Sequence, residues 1–359
     1  MLPEDLIIVI SNYCEHDNLK YLNLPIHNKI KSEQKTLLWY QNYVKKLKQN
    51  APTFSPIKYN NKYNWKNECK RVNNRHFYEM CKNIEWHRID IMIKHYKIKH
   101  FPKELVNLTN IKKLTIRECS FNFLPQELYD MPLELFSMIG NYLYGLSKDI
   151  KKMKNLKYLN LNNNHIKILP NELFKLVNLT ELILGGNNIS ILPKQMELTN
   201  LVYLNLSRNK IETIPENWIM PNLEFLDLAD NKIKSFPKIK ADKLISLLLC
   251  NNNLEKIDDN IFDFPNLEHL EVNYNSISEL PPGIQKLLLL KEFKIHGNKL
   301  IQLPNELVNL THLQDFSLDY DLIKKIPKEL ALNENIYIRY YYEGNIREVS
   351  YEIRQLLFN

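Results

Sequence analysis

The chain has 359 residues, of which 48 are Lys or Arg and 41 are Asp or Glu, for a formal net charge of +7. This length is sufficient for one to three domains with a large core. Only 7 residues are Gly, and no stretch supplies the spaced glycines of a phosphate-binding loop, which excludes nucleotide-binding proteins of that kind.

The charge is unevenly distributed. Residues 1–100 contain 18 basic and 9 acidic side chains, whereas the remainder contains 30 and 32. This difference predicts two differently built parts with a boundary near residue 90–100. The apolar run at residues 6–10 is too short for a signal peptide, no run is long enough for a membrane span, and the cysteines suggest no disulfide framework. We therefore expect a soluble intracellular protein, cytoplasmic or nuclear, without membrane contact.

Residues 1–75 have the spacing of short amphipathic helices. Leu6 and Ile10 are four residues apart, which places them on one helical face. Pro3 is typical of a helix start, and Asp17 provides an N-cap for a second short helix. The apolar residues of this segment are more than so small a unit can bury within itself.

This segment resembles the F-box, whose pattern LPxxLxxxI stands at residues 2–10 and whose later Trp matches Trp39. A W-K-x-x-x-x-R segment begins at Trp65. Asn18 stands between Asp17 and Leu19 and shifts the D-L-x-x-L part of the match by one residue. The V-C-K that usually follows in the F-box is absent. The resemblance implies contact with a Skp-type adaptor of a cullin ubiquitin ligase through Leu2, Pro3, Leu6, Ile10, Leu19 and Leu22. The alternative is a plain helical cap for the domain that follows, with a helical linker to about residue 90.

Residues 40–75 also combine basic and aromatic side chains, a composition found in nucleic-acid-binding proteins. The alternative is a solvated basic surface, and charge alone supports only non-specific contact. We therefore expect nucleic acid not to be the main partner. Cys69, Cys81 and His87 match no zinc-binding spacing, so no metal site is predicted.

From about residue 90 to residue 335 the sequence repeats every 21 to 23 residues. The clearest unit has the pattern LxxLxLxxN at residues 156–164, followed by Ile-Leu-Pro at residues 168–170. We identify ten registered units and one degenerate unit at residues 91–102. The alternating part predicts a short strand with one apolar face, and Pro after it starts a segment of short helical turns. One unit cannot bury its apolar face alone, so the units must stack.

The pattern resembles the leucine-rich repeat family, and the Leu-Pro pair is similar to the intracellular class of scribble- and erbin-type proteins. The resemblance implies an α/β solenoid, a curved horseshoe with a parallel sheet on its concave face, preceded by a small α-helical domain. We expect residues 336–359 to cap it with a last strand at Ile336 and Ile338. One helix would follow, with a single apolar face formed by Ile346, Val349, Ile353, Leu356 and Leu357.

One polar position recurs in every unit. We expect this Asn to turn inward and to satisfy backbone groups of the adjacent loops, where an unsatisfied buried group would be costly. Cys119 and Asp321 take the same position at the two ends. The predicted structural ladder consists of Asn141, Asn164, Asn187, Asn209, Asn231, Asn252, Asn275 and Asn298.

The alternation of each strand places its non-leucine residues on the concave face. Exposed aromatic residues flanked by polar groups are typical of binding hot spots. We therefore predict that a protein target contacts an aromatic strip and, toward the C-terminus, a more acidic patch. The predicted contact residues are Tyr158, Tyr203, Asn205, Arg208, Phe225, Asp227, Asp230, His269, Glu271 and Tyr274.

No residue pattern indicates catalysis or a cofactor, since Cys250 has no suitable partners. The favoured function is non-enzymatic recognition of a protein target, with the F-box-like segment making the chain a substrate receptor of a cullin ubiquitin ligase. Two alternatives are an intracellular scaffold or signalling regulator without a ubiquitin link, and a basic nucleic-acid-associated protein.

Overall fold

The computed structural model describes residues 90–94, 101, 110–216 and 218–358. The F-box-like segment predicted at residues 1–75 and the linker after it lie outside these residues. So do the predicted adaptor contacts Leu2, Pro3, Leu6, Ile10, Leu19 and Leu22.

Twelve strands form one parallel sheet in which each strand pairs with the next in chain order. This arrangement confirms the predicted stack of repeats. The strands are β1 Asp90–Lys94, β2 Lys113–Arg117, β3 Leu135–Ile139, β4 Tyr158–Asn160, β5 Glu181–Ile183, β6 Tyr203–Asn205, β7 Phe225–Asp227, β8 Ser246–Leu248, β9 His269–Glu271, β10 Glu292–Lys294, β11 Asp315–Asp319 and β12 Tyr337–Tyr342.

The apolar core lies between the sheet and the segments that return from one strand to the next. Leu156, Leu159 and Leu161 of the clearest unit are fully buried. Equivalent positions pack on each other across repeats, as in the stacked rings of Phe293 and Phe316, whose centroids are 5.6 Å apart. Because each unit buries its leucines against its neighbours, the stability of one repeat depends on the next.

Several returning segments contain a 3₁₀ helix, as the Leu-Pro pairs predicted. Pro125, Pro170, Pro281 and Pro304 stand directly before four of these helices in an extended conformation. The helices are Gln126–Asp130, Lys148–Lys152, Asn171–Lys175, Asp259–Asp263, Pro282–Lys286, Asn305–Asn309 and Tyr320–Lys325.

The segments that connect β5, β6, β7 and β8 contain no helix among their described residues. The repeats here are only 21 or 22 residues long. Trp218 fills part of this region: its ring is buried, and its Nε1 donates a hydrogen bond to the carbonyl of Pro193 at 3.1 Å.

The C-terminal part contains helix α1 (Lys328–Ala331), strand β12, strand β13 (Asn345–Val349) and helix α2 (Tyr351–Phe358). The prediction of one long helix was wrong for Ile346 and Val349, which lie on β13. Residues Glu343 and Gly344 have positive φ values of 46° and 81°. They form a turn between β12 and β13 that the apolar spacing does not indicate.

Helix α2 does not bury the apolar stripe that the sequence predicted. Ile353, Leu356 and Leu357 are exposed, and Leu356 retains 86% of its accessible surface. Arg354 is the buried residue of this helix. Its Nη1 donates hydrogen bonds to the carbonyls of Ala331 and Asn333, both at 3.0 Å. A polar anchor therefore attaches α2 to the end of α1. Among the residues described, no helix has the length and apolar character needed to cross a membrane.

Candidate functional site

The predicted asparagines form a continuous hydrogen-bonded ladder through the stack. In Asn209, Oδ1 accepts from the backbone N–H of Ile189 at 3.0 Å. Its Nδ2 donates to the carbonyl of Leu184 in the preceding repeat and to that of Leu206 in its own. Each amide thus joins two repeats and fixes where the strand ends. The same pattern holds at Asn141, Asn164, Asn187, Asn231, Asn252, Asn275 and Asn298.

The residue directly before each ladder Asn adopts a left-handed backbone conformation, which turns the chain out of the strand. Glycine meets this requirement at Gly140, Gly186 and Gly297. Three residues predicted to bind a partner, Arg208, Asp230 and Tyr274, also occupy this position, with φ of 54° to 55°. Their backbone geometry is therefore set by the repeat, while their side chains differ.

The two ends of the ladder differ from each other. Cys119 is buried, and its Sγ lies 3.1 Å from the carbonyl of Arg117. The prediction that Asp321 turns inward was wrong, because this residue is exposed in the 3₁₀ helix Tyr320–Lys325. Instead, the carboxylate of Asp319 accepts from the backbone N–H groups of Gly297 and Asn298 at 2.7 and 3.3 Å.

A second ladder, which the sequence analysis missed, lies where the strands begin. Asn178, Asn200, Asn222 and Asn266 each donate Nδ2 to a backbone carbonyl of the preceding repeat. The Asn-Leu pair that opens several repeat units is the sequence feature that could have revealed it. Three of these residues line a shallow hollow of about 330 Å³ between β4 and β7.

The open face, the side of the sheet turned away from the leucine core, carries the predicted contact residues. Tyr158 pairs with Glu181, Glu181 with Tyr203, and Tyr203 with Phe225. Neighbouring repeats therefore place their side chains side by side, in the columns predicted from the alternation. Asn205 and Asp227 are paired in the next column.

The aromatic strip, formed by Tyr158, Tyr203 and Phe225, is less exposed than the sequence predicted. The rings of Tyr203 and Phe225 stack at 4.6 Å between centroids with an angle of 4°. Their exposed fractions are only 6% and 2%. The expectation of freely exposed aromatics was therefore wrong for these two residues, because large side chains in register on adjacent strands cover each other. Tyr158, at the end of the strip, is partly exposed, and its hydroxyl accepts from Nδ2 of Asn160 at 2.9 Å.

A buried carboxylate lies beside this strip. Asp227 accepts hydrogen bonds from Nδ2 of Asn205 at 2.7 Å and from the backbone N–H of Ala229 at 3.0 Å. The hydroxyl of Ser207 donates to Oδ1 of Asn205 at 2.8 Å. Burial raises the pKa of Asp227 to about 7, although its hydrogen bonds oppose the change. Burial also raises the pKa of Glu181, on β5, to about 7.

The C-terminal part of the open face is a charge network and not simply an acidic patch. Lys294 forms ion pairs with Glu271 and with Glu292, the latter at 3.0 Å. His269 Nδ1 lies 3.3 Å from Glu292. Burial lowers the pKa of Lys294, but the two carboxylates raise it more strongly, so the net pKa lies above its ordinary value. The cation is thereby held in its charged form.

A buried imidazole that stays neutral, in contrast to the charged Lys294, lies next to that lysine. The ring of His296 is buried and contacts Tyr274 and Tyr341, with centroids 5.1 and 5.5 Å away. Its Nδ1 lies 2.8 Å from the hydroxyl of Ser317. Burial and then the charge of Lys294 lower the pKa of His296 to about 4, which keeps the ring neutral near pH 7. Tyr274 completes the group with 40% of its surface exposed.

The cysteine of the open face, Cys250, is not activated as a nucleophile. Burial, followed by the negative charges of Glu271 and Asp227, raises the pKa of the Cys250 thiol well above its ordinary value. A protonated thiol is a poor nucleophile. In the described ranges, no group of three or more His, Cys, Asp or Glu residues is arranged to hold a metal ion.

Comparison with known proteins agrees with this architecture. A family model described as "Leucine rich repeat" matches residues 133–189 and 242–300, and one for two copies of such repeats matches residues 199–241. Among curated proteins, none matches significantly.

Several solved structures are similar to the chain at low identity. A TDR receptor is 18% identical, with 78% of this chain and 53% of that one covered and a TM-score of 0.59. An octameric complex of latrophilin 3, Unc5D and the repeats of FLRT2 is 18% identical, with coverages of 73% and 87% and a TM-score of 0.56. The plant peptide hormone receptor RGFR1 in complex with RGF2 is 22% identical, with coverages of 69% and 45% and a TM-score of 0.52. The chain thus spans about half the length of the two receptors.

These likenesses establish the fold, and the family matches cover three consecutive parts of the stack. Residues 133–189, 199–241 and 242–300 are leucine-rich repeats, and repeats of this kind indicate protein–protein interaction.

Proposed function

We propose that the protein is a non-enzymatic recognition protein that holds a protein partner on the open face. The observation that carries this proposal is the continuous row of aromatic, anionic and cationic side chains on adjacent, registered strands. Mixed aromatic and charged surfaces of this type supply binding hot spots and select partners by complementary charge.

The hydrogen bonds within the face support the same function. Asn205, Asp227 and Ser207 are held by one another, and Lys294 is held by two carboxylates. Side chains that are ordered before binding lose less conformational entropy when a partner arrives. Two of the similar structures are described as complexes, one with RGF2 and one with latrophilin 3 and Unc5D.

Affinity purification of the full chain with mass spectrometry tests this proposal. The double substitution Arg208→Ala with Tyr274→Ala removes two side chains from the open face. We expect this variant to lose the captured partner. The matched control, Tyr144→Ala with Lys167→Ala, removes exposed side chains outside the columns of this face. An unchanged partner set in the first variant would contradict the proposal.

We further propose that the chain is an F-box-type substrate receptor of a cullin ubiquitin ligase, and that it works inside the cell as a member of the scribble- and erbin-like repeat class. The support is the sequence alone: the LPxxLxxxI pattern of residues 2–10 ahead of a repeat domain. In this arrangement the repeats would hold the target and raise its effective concentration near the ligase. The alternative is a scaffold in which residues 1–75 are only a cap.

The two arrangements differ in whether a Skp-type adaptor co-purifies. The double substitution Leu6→Asp with Ile10→Asp should abolish capture of the adaptor, because it places charge on the apolar face predicted to contact it. Circular dichroism should show the repeat domain still folded. Continued capture of the adaptor by this variant would contradict the F-box proposal and favour the scaffold.

A further inference from the structure

Glu181, the first residue of β5, has a carboxyl group that nothing stabilises in its charged form. One of its oxygens, Oε2, has almost no accessible surface and accepts no hydrogen bond. Among the described residues, no cationic nitrogen lies within 4.0 Å of this carboxyl group. A buried carboxylate with neither a cation nor a donor is strongly disfavoured, so the neutral acid is the stable form in this position. Burial accordingly raises the pKa of Glu181 to about 7.

Two tyrosines flank this carboxyl group on the open face. Glu181 pairs with Tyr158 of β4 on one side and with Tyr203 of β6 on the other. Phe225 stacks on one face of the Tyr203 ring, with 4.6 Å between the two centroids. Because Phe225 and Glu181 lie on opposite sides of Tyr203 in the same column, the other ring face is turned toward Glu181. Between these two neighbours, only 6% of Tyr203 remains exposed.

The titratable groups around Glu181 offer its carboxylate no opposite charge. The two flanking tyrosines are weak acids and carry no positive charge in any form. Beyond Tyr203 lies the buried carboxyl group of Asp227 on β7. Burial, and then the negative charges of Asp227 and Glu181, raise the pKa of Tyr203 above its ordinary value. The lysine next to Tyr158 in the chain, Lys157, pairs instead with Glu134 at 2.9 Å. An ionised Glu181 is therefore unstable in its buried position.

The ionised side chain has a route to solvent. Glu181 as a whole is partly exposed, and its long side chain can change rotamer without movement of the strand. Such a rotation moves the charge into water and opens the side of Tyr203 that Phe225 does not cover. We propose that Glu181 is a proton-operated lid: the protonated side chain covers Tyr203, and the ionised side chain swings to solvent and uncovers it.

The direction of the switch follows from the two positions of the side chain. The covered carboxyl group has a pKa of about 7, whereas the ordinary value is 4.5, so low pH favours the closed lid and the lid opens between these values as pH rises. An uncovered Tyr203 next to Tyr158 presents the paired aromatic surface that is typical of a binding hot spot. The inference rests on the proposed function in this consequence alone, which is stronger partner binding with the lid open.

Hydroxyl-radical footprinting of the full chain with mass spectrometry, at about pH 4 and about pH 8, tests the lid without any partner. In the parent protein we expect oxidation of Tyr203 to rise several-fold at the higher pH, relative to the exposed Tyr142. Glu181→Gln keeps the shape of the side chain but cannot ionise, so Tyr203 should stay protected at both pH values. Glu212→Gln, the same change at an exposed position outside the open face, should leave the rise intact.

A further variant separates the lid from the neighbouring buried carboxyl group. Asp227→Asn removes that second titration, and the rise in Tyr203 oxidation should persist in it. Circular dichroism at both pH values establishes that each protein is folded. Constant protection of Tyr203 in the parent protein, an equal rise in Glu181→Gln, or loss of the rise in Asp227→Asn would overturn the inference. The partner capture described above decides the proposed function independently, because footprinting uses the chain alone.

Discussion

The ladder amide of Asn209 accepts one backbone hydrogen bond and donates to carbonyls of two repeats. Asn209→Ala leaves these buried groups unsatisfied, and we expect the free energy of unfolding to fall by about 2 kcal/mol. Asn222, in the second ladder, makes one such donation at a partly exposed position. Asn222→Ala should therefore cost about 0.5 kcal/mol. Urea unfolding of both variants measures the difference, and equal losses would show that the inner ladder has no special role.

Gly297 combines two requirements that exclude a side chain. Its φ is +70°, and a Cβ would lie 2.7 Å from Cδ1 of Tyr274. Gly297→Ala should lower the free energy of unfolding by about 2 kcal/mol, since both backbone strain and a steric clash are introduced. In a Tyr274→Ala background the clash disappears and the cost should fall to about 1 kcal/mol. Thermal unfolding of the four proteins tests this, and an identical cost in both backgrounds would contradict the steric part.

The buried carboxyl of Asp227 makes stability depend on pH. Its pKa in the folded protein is raised from 3.8 to about 7, so the folded state holds this proton more strongly than the unfolded state. The contribution to stability is complete below pH 3.8 and is lost as pH rises through 7. Asp227→Asn removes this dependence.

Unfolding free energies of the parent protein and Asp227→Asn, measured between pH 4 and 8, provide the test. The parent should lose stability relative to the variant as pH rises. Glu181 acts in the same direction, and His296, with its lowered pKa of about 4, acts in the opposite one. The difference between parent and variant therefore isolates Asp227, and a constant difference would contradict the assignment.

At the scale of elements, Arg354 is the polar anchor of helix α2, in addition to the partly buried Phe358, which packs against the core. The Nη1 group of Arg354 joins α2 to the carbonyls of Ala331 and Asn333. Arg354→Ala should loosen α2 and speed amide hydrogen exchange over residues 328–358, because both hydrogen bonds of this anchor are lost. Arg347→Ala, at an exposed position of β13, is the control. Similar exchange in both variants would show that α2 is held by other contacts.

The C-terminal elements also show where sequence patterns are insufficient. The spacing of Ile346, Val349 and Ile353 fits a helix, yet the turn at Glu343 and Gly344 makes the first two part of a strand. Short apolar segments are ambiguous between the two periods. In contrast, the LxxLxL units repeat so often that every parallel strand from β1 to β12 coincides with a predicted unit or with the predicted last strand.

At the scale of the whole molecule, the repeat made the fold, the columns of the open face and the ladder asparagines predictable, because each follows from a fixed position in a periodic unit. The burial of Tyr203 and Phe225 could not be predicted, since it depends on the particular side chains that meet across neighbouring strands. The pairing of Lys294 with Glu271 is likewise a contact between residues 23 positions apart. Repetition determines where side chains lie but not which of them pair.

The open face is proposed to hold the partner. Carboxyl footprinting of the chain with its captured partner, using glycine ethyl ester as the label, tests it most directly. Asp230 lies on the open face with 28% of its side-chain surface exposed, and we expect the partner to reduce its labelling several-fold. Asp259 and Asp263, on the opposite side in a 3₁₀ helix, should label as in the free chain. Protection of Asp259 and Asp263 with unchanged labelling of the open face would contradict the account.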